Sequence, residues 1–324
     1  MITKYFIGPM SKNIVDSVIE FCNTTGNNIG LIPSRRQVEW NGGYVNNWTT
    51  QDFASYVGRK TPHILLQRDH GGPNQGQTPD DGIESLITDC KNLSYIHIDP
   101  WKQGTFMECM KTTLSLIKMC YAINSGIKFE IGTEQSIRYL SVDDLEVLVL
   151  YLKDNLSTNE FKAIRFLVIQ SGTSLKGTTQ TGEYNSKRLK QMVAVAKKYD
   201  LYSKEHNGDY IPLNIIKEKF ELGLDAINIA PEFGLIETQT YLDEIKEDDI
   251  LEKYFHICYN SKKWVKWVNT NFDPFKNKIE LIQICGHYIL SDPQFISEIK
   301  SHFPGIDDKI KANIKNKLNE LHGY

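Results

Sequence analysis

Eight short apolar segments recur along the chain, and most of them end in polar, acidic or imidazole side chains. Short apolar runs that are rich in β-branched and aromatic residues are typical of buried strands. The longer stretches between them show the apolar spacing of amphipathic helices, so strands and helices alternate. The predicted strands are 29–33, 64–68, 95–98, 128–131, 165–169, 201–204, 226–229 and 281–285.

This alternation predicts the fold class. Strands that alternate with helices form parallel sheets, and eight strand–helix units in one domain indicate an α/β protein with a (β/α)8 (TIM) barrel. We expect a single barrel domain over residues 1–324, with a helix at 12–22 that precedes the first predicted strand. The gap before the eighth predicted strand is unusually long, so extra helices are expected at about 238–278 and again at 294–321.

Composition narrows the class of function. The 37 basic and 40 acidic side chains give a formal net charge of −3, which offers no electrostatic case for nucleic acid or an anionic membrane as a partner. No apolar run reaches the roughly 18 residues of a transmembrane helix, and the N-terminus lacks the apolar region of a signal peptide. The six cysteines contain no Cys-x-x-Cys pair. These features predict a cytoplasmic protein with reduced, buried cysteines.

Asp69 and His70 follow the second predicted strand and precede Gly-Gly-Pro-Asn. In parallel α/β proteins, ligands and catalytic groups collect at the carboxyl ends of strands, which favours a functional site here. Adjacent residues of a strand point to opposite faces unless the strand ends between them, and the two glycines favour such an end. The alternative is a buried His70 that only packs in the core, with Asp69 capping the next helix.

Two imidazoles and two further side chains from other strand ends complete a candidate metal site. His70 and His206 are the predicted ligands, with Glu134 and Gln170 between them in barrel order. This donor set suits a divalent ion, Zn²⁺ first and Mn²⁺ or a similar ion as the alternative. The candidate acid–base groups, some of which could instead orient His70, are Asp69, Asp99, Glu134 and Asp209.

Polar side chains near the same rim are predicted to bind a substrate. Arg35, Arg36 and Lys102 could hold an anionic group, although each cation alone could equally be a solvated surface charge. His287 is read as a substrate or packing residue. The predicted substrate-binding residues are Arg35, Gln37, Glu39, Asn74, Lys102, Lys187, Asn228 and His287.

These motifs carry a resemblance. Asp-His-Gly-Gly-Pro-Asn at 69–74 resembles the Asp-His-x-Gly-Pro-Asn of the Z-type subunit family of tagatose-1,6-bisphosphate aldolase. Further segments resemble that family in the same order and cover roughly residues 28–230: Arg36-Gln37-Val38, Gly42-Gly43-Tyr44, Ile96-His97-Ile98-Asp99, Ile131-Gly132-Thr133-Glu134 and Glu205-His206-Asn207-Gly208-Asp209-Tyr210.

The family is related to class II, metal-dependent ketose-bisphosphate aldolases, which are (β/α)8 barrels, and to metal-dependent epimerases of ketoses or keto-uronates. The resemblance implies that His70 is a zinc ligand and that Asp69 is the acid–base carboxyl. It also implies that His206 and Glu134 lie where metal-binding or catalytic groups are expected. Gln170 departs from the pattern, because the aldolases have a histidine near that position.

The phosphate-binding segments depart from the pattern as well. Residues 228–233 stand where class II aldolases have an Asn-x-x-Thr phosphate segment, and Asn207-Gly208-Asp209 stands in place of a Gly-Ser loop. These departures weaken the case for a bisphosphate substrate.

Three classes of function remain open. The first is a metal-dependent enzyme that acts on a ketose or ketose phosphate by retro-aldol/aldol chemistry. Within it, C4 epimerisation is favoured over net cleavage, because many polar groups could retain both fragments. The others are a non-catalytic stabilising subunit of a tagatose-bisphosphate aldolase and a sugar-binding barrel without turnover. A full polar rim argues against a purely structural subunit. The expected partner is a small sugar or sugar phosphate, with self-association or an aldolase partner subunit as further alternatives.

Overall fold

The computed structural model describes residues 3–323 of the chain. Eight parallel strands close into a barrel in the order β1-β10-β9-β6-β5-β4-β3-β2, which confirms the predicted (β/α)8 fold. The other two strands, β7 and β8, form a small antiparallel ribbon in the loop after β6. The strands are β1 (Tyr5–Ile7), β2 (Ile29–Leu31), β3 (Ile64–Gly71), β4 (Tyr95–Ile98), β5 (Lys128–Ile131), β6 (Ile164–Ile169), β7 (Leu175–Lys176), β8 (Thr179–Gln180), β9 (Tyr202–Glu205) and β10 (Ala226–Ile229).

Helices surround the barrel, and several begin at residues that satisfy their free backbone N–H groups. Capping boxes at Thr105, Ser141 and Ser157 start three successive helices after β4 and β5. The helices are α1 (Lys12–Thr25), α2 (Thr50–Gly58), α3 (Ile83–Asn92), α4 (Phe106–Ile123), α5 (Val142–Asn155), α6 (Thr158–Ala163), α7 (Ser186–Lys198), α8 (Leu213–Glu221), α9 (Pro231–Glu244), α10 (Asp248–Ser261), α11 (Lys278–Cys285), α12 (Pro293–Glu298) and α13 (Ile306–His322).

One predicted strand is wrong, and one real strand was not predicted. Residues 281–285 belong to helix α11, whereas β1 lies at the N-terminus and closes the barrel between β10 and β2. The helix at 12–22 therefore follows the first strand instead of preceding it. A short apolar run fits a buried helix as well as a strand, and a strand of three residues gives almost no periodic signal.

The extra helices follow the last barrel strand and do not interrupt the barrel. Helices α9 to α12 and the 3-10 turn Val265–Trp267 occupy much of the region predicted to hold them. The terminal helix α13 packs against α1 and α9, so it covers the outside of the barrel near β1. The tail thus holds the short helix α12 and the long helix α13.

A buried ion pair holds the site end of β3 in place. The guanidinium of Arg68 donates to both carboxylate oxygens of Asp89 on α3, at 2.7 and 2.8 Å. It also donates to the carbonyl oxygens of Pro33 and Val38, at 2.9 and 2.7 Å. Both charged side chains are fully buried. Arg68 therefore ties β3 to the loop after β2, which carries several cavity residues.

The cysteines agree with the expectation of reduced core residues. All six lie within residues 3–323, and each is buried and outside any disulfide. None of the described helices combines the length and the apolar character that crossing a bilayer requires.

Glu237 on α9 is expected to make stability depend on pH. It is buried and accepts hydrogen bonds from Ser11 and Asn13 of the α1 segment, with Asp307 and Lys300 as the nearby charges. Burial raises the pKa of Glu237 from 4.5 to about 7. The folded state therefore binds the proton more tightly than the unfolded state does. The stabilisation is complete below pH ~4.5 and is lost as the pH rises through about 7.

The variant Glu237→Gln should lose this dependence. Urea unfolding between pH 5 and 8 should show the free energy of unfolding of the variant gaining on that of the native protein as the pH rises, by up to ~1.4 kcal/mol per pH unit. Glu221→Gln, at an exposed glutamate of α8, is the matched control. A difference between Glu237→Gln and the native protein that stays constant over this range would show that Glu237 titrates normally.

Candidate functional site

A cavity of about 310 Å³ lies at the carboxyl ends of the barrel strands. That volume is at the lower end of the range for small-molecule pockets and suits a single small ligand. Nine of the residues predicted from the sequence line it: Arg36, Gln37, Asp69, His70, Lys102, Glu134, His206, Asp209 and Asn228.

The backbone at the end of β3 brings two adjacent side chains to this cavity. His70 has a left-handed backbone with φ of +50°, which is uncommon outside glycine. The pairing of β3 with β4 also shifts register between Arg68 and Gly71. This irregularity breaks the alternation of side chains, so Asp69 and His70 both line the cavity. Strained residues of this kind often occur at functional sites.

Three imidazoles meet here, each with one ring nitrogen already engaged. His70 Nδ1 lies 2.6 Å from an oxygen of Asp99, and His206 Nε2 lies 2.5 Å from an oxygen of Glu130. His97 Nε2 lies 3.0 Å from the carbonyl oxygen of Gly132. Carboxylate and carbonyl oxygens only accept hydrogen bonds, so each of these nitrogens carries the proton. In the neutral form of each ring, the other nitrogen carries a lone pair.

The remaining ring nitrogens surround the carboxylate of Asp69. His70 Nε2 lies 3.6 Å from one of its oxygens, and His206 Nδ1 and His97 Nδ1 lie 3.8 and 3.9 Å from the other. One ligand atom from each of these four residues lies within 4.8 Å of the rest. His97 Nδ1 also accepts a long bond of 3.3 Å from the backbone N–H of His70. We call Asp69, His70, His97 and His206 the imidazole cluster.

The imidazole cluster fits a divalent metal ion. Metal-bound histidines characteristically donate their second ring N–H to a carboxylate or carbonyl, as all three rings do here. Within the described chain, Oδ1 of Asp69 is buried and has no hydrogen-bond partner. Nitrogen and carboxylate donors are the ligands that Zn²⁺ and Mn²⁺ accept.

The charges of the cluster are strongly coupled. Burial disfavours the charged form of His70, but Asp69 and Asp99 outweigh it and raise the pKa of His70 to about 10. Burial also opposes ionisation of Asp69, yet the three neighbouring imidazoles hold its pKa well below the usual range. Protons and a metal ion would therefore compete for the same ring nitrogens.

A polar network below the cavity positions His206. Glu130, which accepts from His206, also accepts from Lys204 at 2.8 Å and from Gln67. Burial raises the pKa of Glu130, but Lys204 and the nearby imidazoles hold it well below its usual value. The Lys204 ammonium lies 3.5 Å from the ring centroid of Phe6 in the barrel interior. The sequence interpretation missed His97, Glu130 and Lys204.

A signal for these residues was available. His97 lies between two isoleucines and Glu130 between Phe129 and Ile131, each inside a short strand. A single polar residue that alternates with apolar neighbours in a barrel strand points to the opposite face from them.

Three further predicted residues lie beside the cluster. Glu134 Oε2 is 3.9 Å from His206 Nδ1, and its other oxygen accepts from Ser136. Asp209 accepts from two backbone N–H groups, both at 2.8 Å, and burial raises its pKa to about 8. The amide group of Asn228 is buried, and neither of its polar atoms has a partner among the described residues.

Asp99 and Gln170 occupy supporting places. Asp99 accepts a hydrogen bond from His70 Nδ1, which fits the alternative role of orienting that ring. The amide of Gln170 bonds to backbone groups of Thr133, Arg138 and Leu140, so it fastens the loop after β5. Both amide atoms of Gln170 are thus engaged by backbone groups, whereas His97, which was not among the predicted ligands, contributes a ring nitrogen to the imidazole cluster.

The remaining predicted substrate residues are not lining residues of the cavity. Arg35 pairs with Glu39 and Asp80, so both Arg35 and Glu39 are structural here. His287 is buried against Gly234 and Tyr288, and burial lowers its pKa to about 3. The others are Asn74, whose carbonyl oxygen accepts from Lys102 at 2.9 Å, and Lys187 on α7.

No protein-family profile matches the chain, and no curated protein matches its sequence. Solved structures do match. A probable tagatose 6 phosphate kinase from Sinorhizobium meliloti 1021 aligns with a TM-score of 0.76 and 15% identity, over 98% of this chain and 99% of its own.

Two aldolases align less closely. The YdjI aldolase from Escherichia coli K12 and a fructose-bisphosphate aldolase from Campylobacter jejuni each give a TM-score of 0.58 at 13% identity, over 99% of this chain and 90% of theirs. At such low identity the likeness concerns the fold. The chain thus shares the (β/α)8 barrel of structures described as a tagatose 6 phosphate kinase and as aldolases, and the imidazole cluster lies at the carboxyl end of that barrel.

Proposed function

We propose that this protein is a metal-dependent enzyme that acts on a ketose or ketose phosphate by retro-aldol/aldol chemistry. The observation that supports this most is the imidazole cluster, in which the second ring nitrogens of three histidines lie around the carboxylate of Asp69. The structural neighbours add support, because their descriptions name a tagatose phosphate and fructose bisphosphate.

The metal would be held by His70, His97 and His206, with Asp69 or Glu134 as the nearest carboxylates. When bound, a divalent ion polarises a ketose carbonyl and the adjacent oxygen, and so favours loss of a hydroxyl proton. Asp99 and Glu130 hold two of the rings in the tautomer that metal binding requires.

Protons at the substrate would be moved by carboxyl groups of the chain. Asp69 lines the cavity, and its buried Oδ1 has no hydrogen-bond partner among the described residues, so this carboxylate can accept the proton of a substrate hydroxyl. Asp209 lines the same cavity and, with a pKa of about 8, carries a proton at neutral pH that it can donate. Asn228 offers an unpartnered amide that can bind a sugar hydroxyl.

We favour C4 epimerisation over net cleavage. Both outcomes begin with deprotonation of the C4 hydroxyl and rupture of the C3–C4 bond. An epimerase must then retain both fragments while the aldehyde turns, which requires polar contacts around the whole substrate. The cavity is small, and polar side chains surround the cluster, which suits retention: Gln37, Gln75, Glu134, Ser136, Asn207 and Asn228.

The test is a screen of ketoses, ketose phosphates and keto-uronates with Zn²⁺- or Mn²⁺-loaded protein. NMR would follow inversion at C4, and a coupled dehydrogenase would trap released dihydroxyacetone or its phosphate. We expect a C4-inverted product without free triose, and none with the His97→Ala variant prepared in parallel. Stoichiometric triose would establish an aldolase instead. An absence of turnover with every substrate would favour a sugar-binding or stabilising barrel.

A further inference from the structure

Three cationic side chains line the cavity besides the imidazole cluster. Arg36 comes from the loop after β2, Lys102 from the loop after β4, and Lys266 from the 3-10 turn Val265–Trp267. The last of these lies beyond the final barrel strand, in the segment of extra helices. Three separate parts of the chain thus contribute positive charge to one cavity of about 310 Å³.

These cations lack acidic partners. Across residues 3–323, none of the three forms an ion pair with a carboxylate. Among the described residues, Arg36 donates to the backbone carbonyl of Gly76, and Lys102 donates to that of Asn74. Arg35, by contrast, is neutralised by Glu39 and Asp80, although the sequence placed it beside Arg36 as an equal candidate.

An aromatic wall positions Lys266. Its ammonium nitrogen lies 4.4 Å from the ring centroid of Trp267 and 5.5 Å from that of Tyr288. The Trp267 indole donates to the Tyr288 hydroxyl, and Tyr288 packs edge-on against Tyr44. The rings of Trp267, Tyr288 and Tyr44 all line the cavity. The Lys266 ammonium therefore lies at the edge of the cavity, beside aromatic rings that also line it.

The cations also act on one another. Loss of water at the cavity edge, together with Arg36, Lys102 and the nearby Lys263, lowers the pKa of Lys266 to about 8. Burial and Arg36 lower the pKa of Lys102, against the opposing effect of Asp99 and Glu134. Cations that act on one another without forming ion pairs repel each other, and a bound anion would relieve that repulsion.

We propose that Arg36, Lys102 and Lys266 form an anion subsite, so that the substrate is a ketose carrying a phosphate ester or a carboxylate. This inference rests on the proposed function and narrows its substrate class. Guanidinium and ammonium groups together suit the several oxygens of either anion. It also gives the extra C-terminal segment a role, because that segment supplies a specificity-determining cation to the barrel.

The test compares the binding of fructose, fructose 6-phosphate and fructuronate to the metal-loaded protein by calorimetry, which needs no turnover. We expect at least one anionic sugar to bind about tenfold or more tightly than fructose, the effect of a charge-assisted hydrogen bond. Lys266→Met should remove most of that advantage, so that the affinity for the anionic sugar falls towards the affinity for fructose. Lys263→Met, three positions away and outside the cavity lining, should behave as the native protein does.

The two anions separate the sources of negative charge. If Lys266→Met loses affinity for fructose 6-phosphate alone, the anionic group of the substrate is a phosphate ester. If it loses affinity for fructuronate alone, that group is a carboxylate. Equal affinity for all three sugars, or equal effects of Lys266→Met and Lys263→Met, would overturn the subsite. Either result would contradict the anion subsite but would still allow retro-aldol chemistry on a neutral ketose. Absence of turnover would contradict the proposed function, and the binding data would still test the subsite.

Discussion

The variant Asp69→Asn should lose about two to four orders of magnitude in turnover and keep its metal ion. Asparagine preserves the size of the side chain but cannot accept a proton. A loss of this size is expected when an enzyme loses its general base. Asp69 is placed for that role because it lines the cavity and because its buried Oδ1 has no hydrogen-bond partner among the described residues. Steady-state kinetics on the substrate found by the screen, with metal content measured on the same preparation, would test this prediction.

Two comparisons make this result specific. Asp154→Asn, at an exposed position on α5, should retain native turnover and metal content. If Asp69→Asn loses the ion together with its activity, Asp69 is a ligand and proton transfer belongs to Asp209 or Glu134. Near-native turnover of Asp69→Asn would exclude both roles.

Removal of the metal ion should abolish activity and lower the melting temperature. An ion that binds only the folded state stabilises it, by ~4 kcal/mol when free ion is a thousandfold above Kd. We expect about one Zn²⁺ or Mn²⁺ per chain. His206→Ala and His97→Ala should each reduce occupancy sharply, since each removes one ring nitrogen of the imidazole cluster. Elemental analysis and thermal unfolding with and without chelator measure both effects.

Gln170→Ala tests which residues bind the metal ion. The sequence predicted Gln170 as a ligand, whereas the structure places His97 in the imidazole cluster. The amide of Gln170 fastens backbone groups, so the variant should be less stable but should still bind the ion. His256→Ala, at an exposed histidine of α10, is the matched control for the histidine variants. Full occupancy in His97→Ala combined with loss in Gln170→Ala would restore the sequence-based assignment. Unchanged melting on chelation would argue against a metal site altogether.

Loss of a residue that orients a histidine should weaken metal binding less than loss of the histidine itself. Asp99 and Glu130 each fix the tautomer of one ring, and loss of such a partner typically weakens metal affinity by about 10- to 100-fold.

The sequence alone was sufficient for the barrel and for much of its rim. Strand–helix alternation is a local property, because each buried strand and each amphipathic helix can be predicted from the apolar pattern of its own residues. The carboxyl ends of parallel strands must meet at one end of a barrel, so Asp69, His70 and His206 could be placed together without coordinates. The exception was β1, whose three residues carry too little pattern, while the apolar run of α11 imitated a strand.

Only the tertiary structure decided which polar groups complete the site and which merely support it. His97 and Glu130 sit inside strands, so their contribution depends on which face of the barrel wall they present and on what lies opposite. Arg35 and Arg36 are neighbours in sequence, yet in the described part of the chain Arg35 alone of the two forms ion pairs with carboxylates. Lys266 comes from outside the barrel units and reaches the cavity through packing of the C-terminal segment. Charge pairing and convergence of distant segments are long-range properties, and no local periodicity encodes them.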